Sequence, residues 1–522
     1  MTHQRLPISI QDFEMIRNGN FYYVDKTPLI RRLVENGNHY FLSRPRRFGK
    51  SLLVDTIGAL FAGQETLFKG LDIHQHWDWS VTHPVVRISF DRKYDLPEDI
   101  EQNLNNQLDL IAHSAGLKCV CNKGAAPERL QCLLYHLHYK TGQRVAVLVD
   151  EYDKPILDVI RDPEQARANR EYLCSFYGII KGSAKYVCFV FITGVSMFSK
   201  ISLFSDLNNL KDISLDPRFA TICGYTDTDL DTVFAPKLKS LDRNEIRTWY
   251  NGYSWLGEER VYNPFDVLLL FDERKFKPYW FRTGSPRFLF ETMQGKSVNP
   301  LELEGRWTDE TLVSKFEIND IEVEALLFQT GYLTIVDERS DGFDTLYKLD
   351  YPNQEVQISL NRGLLQYLGK PMKEAANEGR DLCALLTTND FEGFMETLKA
   401  YLASIPYQWH TTGNLPRYEA WYASLLHMSF RAIGVDVRSE DPSSHGRADM
   451  VVLTGGQVFI FEFKMSETAD KTEAALETAI AQMRERGYNE KYQDRKEPIH
   501  LIAIACGCED RTLLDIRVES AG

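Results

Sequence analysis

Two groups of residues in this chain have types and spacing that chemistry can use. The first lies in "SRPRRFGKS", Ser43 to Ser51. It follows the phosphate-loop pattern G-x-x-x-x-G-K-[ST] from its second glycine onward, with Arg44 where the first glycine would stand. Gly49 allows close backbone approach to a phosphate, Lys50 reaches the outer phosphates, and the Ser51 hydroxyl suits Mg2+. Arg46 and Arg47 offer further phosphate contacts, and Pro45 fixes a turn of its own kind. Downstream, the apolar run Val145–Val149 ends in Asp150 and Glu151. Asp150 is expected to hold the cation and Glu151 to polarise an attacking water. Thr193, ending the next apolar run, is a candidate sensor of the outermost phosphate.

The second group is Asp449, Glu462 and Lys464. Glu462 and Lys464 stand two apart in "FIFEFKM" and so share one strand face, while Phe461 and Phe463 take the other. A carboxylate and an ammonium in so apolar a run are costly unless paired or used. A Thr-Gly-Gly turn at Thr454–Gly456 folds Asp449 toward Glu462. Two carboxylates can hold Mg2+, and a lysine can orient water and stabilise a phosphorane-like transition state. The Phe463 carbonyl is a further ligand candidate, and Glu419 on an upstream helix is a candidate to complete the metal shell. Gln482 and Tyr488 are candidates for a phosphate contact.

These residues need elements to hold them. His39–Leu42, a turn, and a helix carrying Leu52, Leu53, Ile57 and Leu60 give the strand–loop–helix that a phosphate loop requires. His83–Asp91, Val145–Val149 and "KYVCFVFITGVS" read as further strands, with helical stretches such as "PEDIEQNLNNQLDLIAHSAG" between them. Apolar strands alternating with helices predict a parallel sheet covered on both faces. From Tyr225 the chain turns mainly helical, with Asn/Gly/Pro-rich turns. From Arg380 a third unit begins, with an amphipathic helix, a hairpin over Ala448–Met465, a helix near Thr472–Arg486 and the strand "IHLIAIAC". The expected domains are therefore 1–224, 225–379 and 380–522.

Bulk properties narrow the class. At 43% hydrophobic and 26% charged, the chain can build more than one core and is not of disordered type. A net charge of −14 argues against a protein that coats nucleic acid non-specifically, though local basic clusters remain. The nine cysteines are scattered, and Cys119/Cys121 and Cys506/Cys508 lack the C-x-x-C spacing of a zinc site. No apolar run approaches the ~20 residues of a membrane span, so a soluble, cytoplasmic protein without a membrane partner is expected.

Taken together, "YYVDKTPLI", "RPRRFGKSLL", "VLVDEYDKP", "WYNGYSW", "YEAWYASLL", "GRADMVV" and "FIFEFK" resemble a bacterial family that joins an AAA-ATPase-like domain to a PD-(D/E)XK nuclease-superfamily domain. The resemblance covers nearly the whole chain. The RPRRFGKS loop is typical of that family, so the absent first glycine is a family variant. The position before the "PD" aspartate is Ala448 here. The resemblance implies an N-terminal P-loop sheet, a helical lid domain and a C-terminal restriction-endonuclease-like α/β domain. It implies ATP at Lys50 and Ser51 with Asp150 and Glu151 as the acidic pair, and nuclease residues at Asp449, Glu462 and Lys464. Mg2+ or Mn2+ would serve as cofactor and DNA, ahead of RNA, as partner. Assembly into a homo-oligomer stays open, and many members are associated with mobile elements or defence. Two functions follow: an ATP-regulated, metal-dependent DNA nuclease, or an ATP-driven switch whose nuclease fold binds without cutting.

Overall fold

The computed structural model describes residues 4–117, 124–197, 207, 209–280, 289, 303–309, 322–340, 342–367, 372–404, 419–507 and 512–521. Cys119, Cys121 and Cys508 lie outside them. The chain packs into two compact units, one of residues 1–280 with 306–353, the other of 281–305 with 354–522. The stretch 225–379 is thus shared between the two units. No helix among the described residues is long and apolar enough to cross a membrane.

The first unit is built on a parallel five-stranded sheet. Its strands are β1 (His39–Ser43), β2 (Val85–Ser89), β3 (Val145–Asp150), β4 (Val187–Gly194) and the two-residue β5 (Lys211–Asp212), in the order β2-β3-β4-β1-β5. The inner strands are buried along their length because helices cover the sheet, and this is why they read as continuous apolar runs. Helix Lys50–Phe61 follows β1 and packs on β3, while Ala126–Thr141 and Pro163–Gly182 pack on each other. β4 lies between β1 and β3. Its end therefore separates the phosphate loop from the acidic residues that close β3.

Residues 225–280 add a core of their own. Leu230, Phe234, Ile246, Tyr250, Tyr262 and Phe271 pack with Tyr22 and Val24 from near the N-terminus. The unit also contains helix Val323–Thr330 and a three-stranded antiparallel sheet of β6 (Arg306–Asp309), β7 (Thr334–Ser340) and β8 (Thr345–Asp350), in the order β6-β8-β7. Half of β7 is exposed and polar, which hides its strand character from hydrophobic patterning.

The second unit has a mixed five-stranded sheet of β9 (Asp436–Ser443), β10 (Gly446–Thr454), β11 (Gln457–Ser466), β12 (Ile499–Gly507) and β13 (Leu513–Ala521) in the order β13-β12-β11-β10-β9. β11 and β12 are parallel, joined through helix Thr472–Glu485, and the other pairs are antiparallel. Val451, Ile460, Leu476, Ile480, Met483 and Leu501 form the core between that helix and the sheet. The hairpin and the β11–helix–β12 crossover appear where the sequence placed them. β9, which carries Pro442, and the half-exposed β13 are additions to that reading.

One glycine is fixed by space as well as by conformation. Gly252 has φ +126, and a Cβ built there would lie 1.8 Å from the Pro352 carbonyl oxygen. Both penalties fall on backbone, which cannot rotate aside. Gly252→Ala is expected to destabilise the first unit by about 3 kcal/mol, read as a lowered first transition in thermal unfolding.

Candidate functional site

Arg44 explains the altered loop. Its side chain is fully buried, and its guanidinium lies 4.0 Å from the centre of the Trp255 ring. It donates to the carbonyls of Ser43 (2.8 Å), Ser214 (2.8 Å) and Phe219 (3.3 Å). Burial lowers its pKa to about 10, so it stays charged at neutral pH. A desolvated cation–π contact of about 2 kcal/mol and several charge-assisted hydrogen bonds offset the cost of burying it. The loop turn is held by this anchor, and Phe48 packs edge-on against Tyr253 (4.7 Å) and Trp255 (5.3 Å). The "WYNGYSW" stretch is thus a platform under the loop.

The rest of the loop has the features a phosphate site needs. Gly49, at φ +90, caps helix Lys50–Phe61 and turns the chain into its N-terminus. That terminus, with its unpaired amides, favours an anion. The Lys50 ammonium is buried and donates to the carbonyls of Arg44 (2.8 Å) and Pro45 (2.9 Å). Burial lowers its pKa and the nearby Asp150 carboxylate opposes that. Ser51 follows in the first helical turn. Arg46 and Arg47 are exposed, with Arg47 at φ +72 over the Phe265 ring (4.8 Å).

At the end of β3, Asp150 is buried and accepts from the Glu151 amide (3.1 Å). Glu151 has φ +55, and burial, then the Asp150 charge, pushes its carboxyl above the ordinary range. A residue held in the left-handed region at such a position is a local strain that the surroundings must maintain. Thr193, the expected phosphate sensor, is wholly buried, and its hydroxyl donates to the Leu42 carbonyl (2.8 Å). That strand-to-strand tie takes up its one proton. Sequence reasoning missed Asp153. Its carboxylate accepts from the Val195 amide (3.0 Å), the Ser196 amide (2.6 Å) and the Ser196 hydroxyl (2.5 Å). The next amide, Met197, donates to the buried Gln329 side chain on helix Val323–Thr330 (2.8 Å). Gly331, just after that helix, abuts Pro45 of the loop.

In the second unit, the hairpin brings Asp449 and Glu462 onto neighbouring strands. The β10–β11 ladder ends at Met450 opposite Phe461, one residue short of them. Beyond it the Asp449 carboxylate accepts from the Phe463 amide (2.8 Å). Glu462 is buried, and the Lys464 ammonium donates to its Oε1 (2.9 Å). Gln482 donates to the same oxygen and to the Tyr488 hydroxyl (3.3 Å). Tyr488 is buried. Gln482 therefore orients the carboxylate, and the Tyr488 hydroxyl lies behind Gln482. Burial pushes the Asp449 carboxyl above the ordinary range, while the Phe463 amide and the Lys464 charge pull it down.

Glu440 is a second residue that patterning did not reveal. The pairs Ala448–Asp441 and Met450–Ser439 put it opposite Asp449, at φ +51, where it ion-pairs with Arg447 (2.5 Å). Glu419 is the first residue of helix Glu419–Arg431, and its side chain lies outside the described residues. Among the described residues no three metal-ligating side chains converge. The groups carried on these neighbouring strands are the Asp449 and Glu462 carboxylates and the Phe463 main chain as oxygen donors, with the Lys464 ammonium beside them. Hard oxygen donors of this kind suit Mg2+ or Mn2+.

Comparison with known proteins separates the same two regions. Residues 7–204 match a family model described as a predicted AAA-ATPase, and residues 417–515 match the PD-(D/E)XK nuclease superfamily. The whole chain is 48% identical to an uncharacterized protein in the vnfD 5'region of Azotobacter chroococcum mcd 1, over 525 residues and 100% of both chains. No solved structure matches.

Two outcomes follow from this geometry. Arg44→Ala removes the stack and three hydrogen bonds at once and is expected to cost about 3 kcal/mol, with nucleotide binding lost before global unfolding. Thermal melts with and without ATP check this. At Asp449, a carboxyl whose pKa folding raises contributes stability below the ordinary carboxylate range and loses it as pH rises through the raised value. The ionised group therefore opposes folding at neutral pH. Asp449→Asn is expected to stabilise the metal-free protein by about 1 kcal/mol and to abolish any Mn2+-induced rise in melting temperature.

Proposed function

The chain belongs to the family that joins a predicted AAA-ATPase domain to a PD-(D/E)XK nuclease-superfamily domain, and from that premise we propose that it is an ATP-regulated, metal-dependent DNA nuclease. The observation that carries the reading is the buried Glu462 carboxylate, held by Lys464 and Gln482 one strand from Asp449. A surface ion pair of this kind would be worth little. Burying one in a core strand and fixing it with a third residue is what a preorganised site requires. In this reading Asp449, Glu462 and the Phe463 carbonyl hold Mg2+ or Mn2+, with Glu419 as a further ligand. The metal supplies a Lewis acid and an activated water. Lys464 stabilises charge on the phosphate under attack, and Gln482 keeps Glu462 from rotating away.

ATP binds at the Gly49–Lys50–Ser51 turn in the same reading, and Lys50 exchanges its two loop carbonyls for phosphate oxygens. Asp150 and Ser51 hold the nucleotide's cation, Arg46 and Arg47 flank the phosphates, and Thr193 keeps the β4 end in place. Glu151, its carboxyl raised by burial, is suited to take a proton from water. Regulation has a physical route. Asp153 organises the turn after β4, that turn holds Gln329, and Gly331 rests on the loop. A change at the phosphates therefore reaches helix Val323–Thr330 through direct contacts.

The test is cleavage of plasmid and linear DNA in Mg2+, with and without ATP. Lys464→Ala is expected to slow cleavage about 100-fold, roughly 2.7 kcal/mol of barrier. Lys50→Ala is expected to abolish ATP hydrolysis and with it the response of cleavage to ATP. Intact ATP hydrolysis without cleavage under any condition would replace this reading with an ATP-driven switch that binds DNA without cutting it.

A further inference from the structure

The other end of the parallel sheet carries a surface that neither site uses. Helix Ala126–Thr141 leads into β3, and Tyr186 immediately precedes β4. These residues lie at the N-terminal ends of the strands, whereas the phosphate loop and Asp150 lie at the C-terminal ends. Here Tyr135 and Tyr139, one helical turn apart, are 41% and 61% exposed although both are large aromatic residues. Their rings are 4.5 Å apart. Tyr186 joins them at 5.6 Å from Tyr135, and the His138 ring lies 5.5 Å from Tyr186. The Lys185 ammonium sits 4.7 Å from the centre of the Tyr186 ring.

The charge along the two stretches that form this cluster is one-signed. The chain has 74 acidic and 60 basic residues, yet no acidic residue occurs from Arg129 to Val149 or from Tyr172 to Ser205. Lys140, Arg144, Lys181 and Lys185 are exposed in these two stretches. Tyrosine is common on protein-binding faces too, but such a face is depleted of lysine, and this one carries three. Exposed, clustered tyrosine rings among lysines, with no carboxylate in either stretch to repel a phosphate, have the chemistry of a platform for unpaired bases. We infer that Tyr135, Tyr139 and Tyr186, with Lys185, form a stacking surface for single-stranded nucleic acid, on the side of the ATPase sheet opposite the nucleotide loop. This surface binds strand without cutting it, so it is separable from the cleavage proposed above.

Fluorescence anisotropy with a labelled oligodeoxythymidylate, on the full chain in EDTA so that no cleavage intervenes, tests it. The double variant Tyr135→Ala/Tyr139→Ala is expected to weaken single-strand binding about 30-fold or more, with Tyr135→Phe/Tyr139→Phe close to the parent protein. Lys185→Glu is expected to weaken binding and flatten its salt dependence. Unchanged affinity in the alanine pair, with ATP binding retained as proof of folding, would overturn the inference. So would a shift in the sedimentation of the alanine pair alone without loss of strand binding, which would make the patch a contact between copies of this chain.

Discussion

A buried guanidinium placed over an indole ring determines how the phosphate-type loop is built. Phosphate loops ordinarily begin at a glycine that makes a tight turn. This one begins at a buried Arg44 stacked on Trp255 and bonded to three carbonyls. The turn is imposed by packing from outside the loop, not by backbone freedom inside it. The consequences run outward. Trp255 must be present, so Tyr253 and Phe48 must pack around it. Gly252 must then pass tightly under Pro352. A segment far away in sequence is therefore part of the loop's foundation, and the loop cannot be transplanted or repaired by restoring a glycine alone.

The nuclease-type site rests on a different device, the divergence of two strands. The β10–β11 ladder ends at Met450 and Phe461. That leaves the Phe463 amide without a ladder partner, and the Asp449 carboxylate takes it. Glu462 faces the helix that follows its own strand, so Gln482 can hold it from behind. Each carboxylate is fixed by a group from a neighbouring part of the fold, Asp449 by the Phe463 amide of β11 and Glu462 by Lys464 and Gln482, which keeps side-chain entropy low. Burial pushes the Asp449 carboxyl above the ordinary range here, as it does Glu151 in the first unit, because a low-dielectric setting works against the ionised form.

Much of this was legible in the sequence. Buried parallel strands announce themselves as apolar runs, and Val145–Asp150, Val187–Gly194 and Ile499–Gly507 lie where those runs stand. The i, i+2 spacing of Glu462 and Lys464 was enough to pair them. What stayed hidden shares one cause. Arg44, Asp153 and Gln329 act through partners as far as 211 residues away (Trp255, for Arg44), and nothing local marks a polar residue as buried; Glu440 is exposed, and only the strand register sets it opposite Asp449. Strands β9 and β13 were hidden because an edge strand is exposed on part of its surface and loses the alternating pattern.

The two compact units place opposite demands on nucleotide chemistry. In the proposed function the loop must let Lys50 leave the Arg44 and Pro45 carbonyls for a phosphate, and a carboxylate ion pair as strong as the one Lys464 makes would oppose that. Two neutral carbonyls are a suitable holding partner: they satisfy the buried charge in the empty state and yield to an anion. Lys464, by contrast, is expected to act where it stands. The difference between a lysine parked on carbonyls and one locked to a glutamate is the difference between a residue that responds to its ligand and one that awaits it. In the proposed function, that difference assigns the signal to the first unit and its execution to the second.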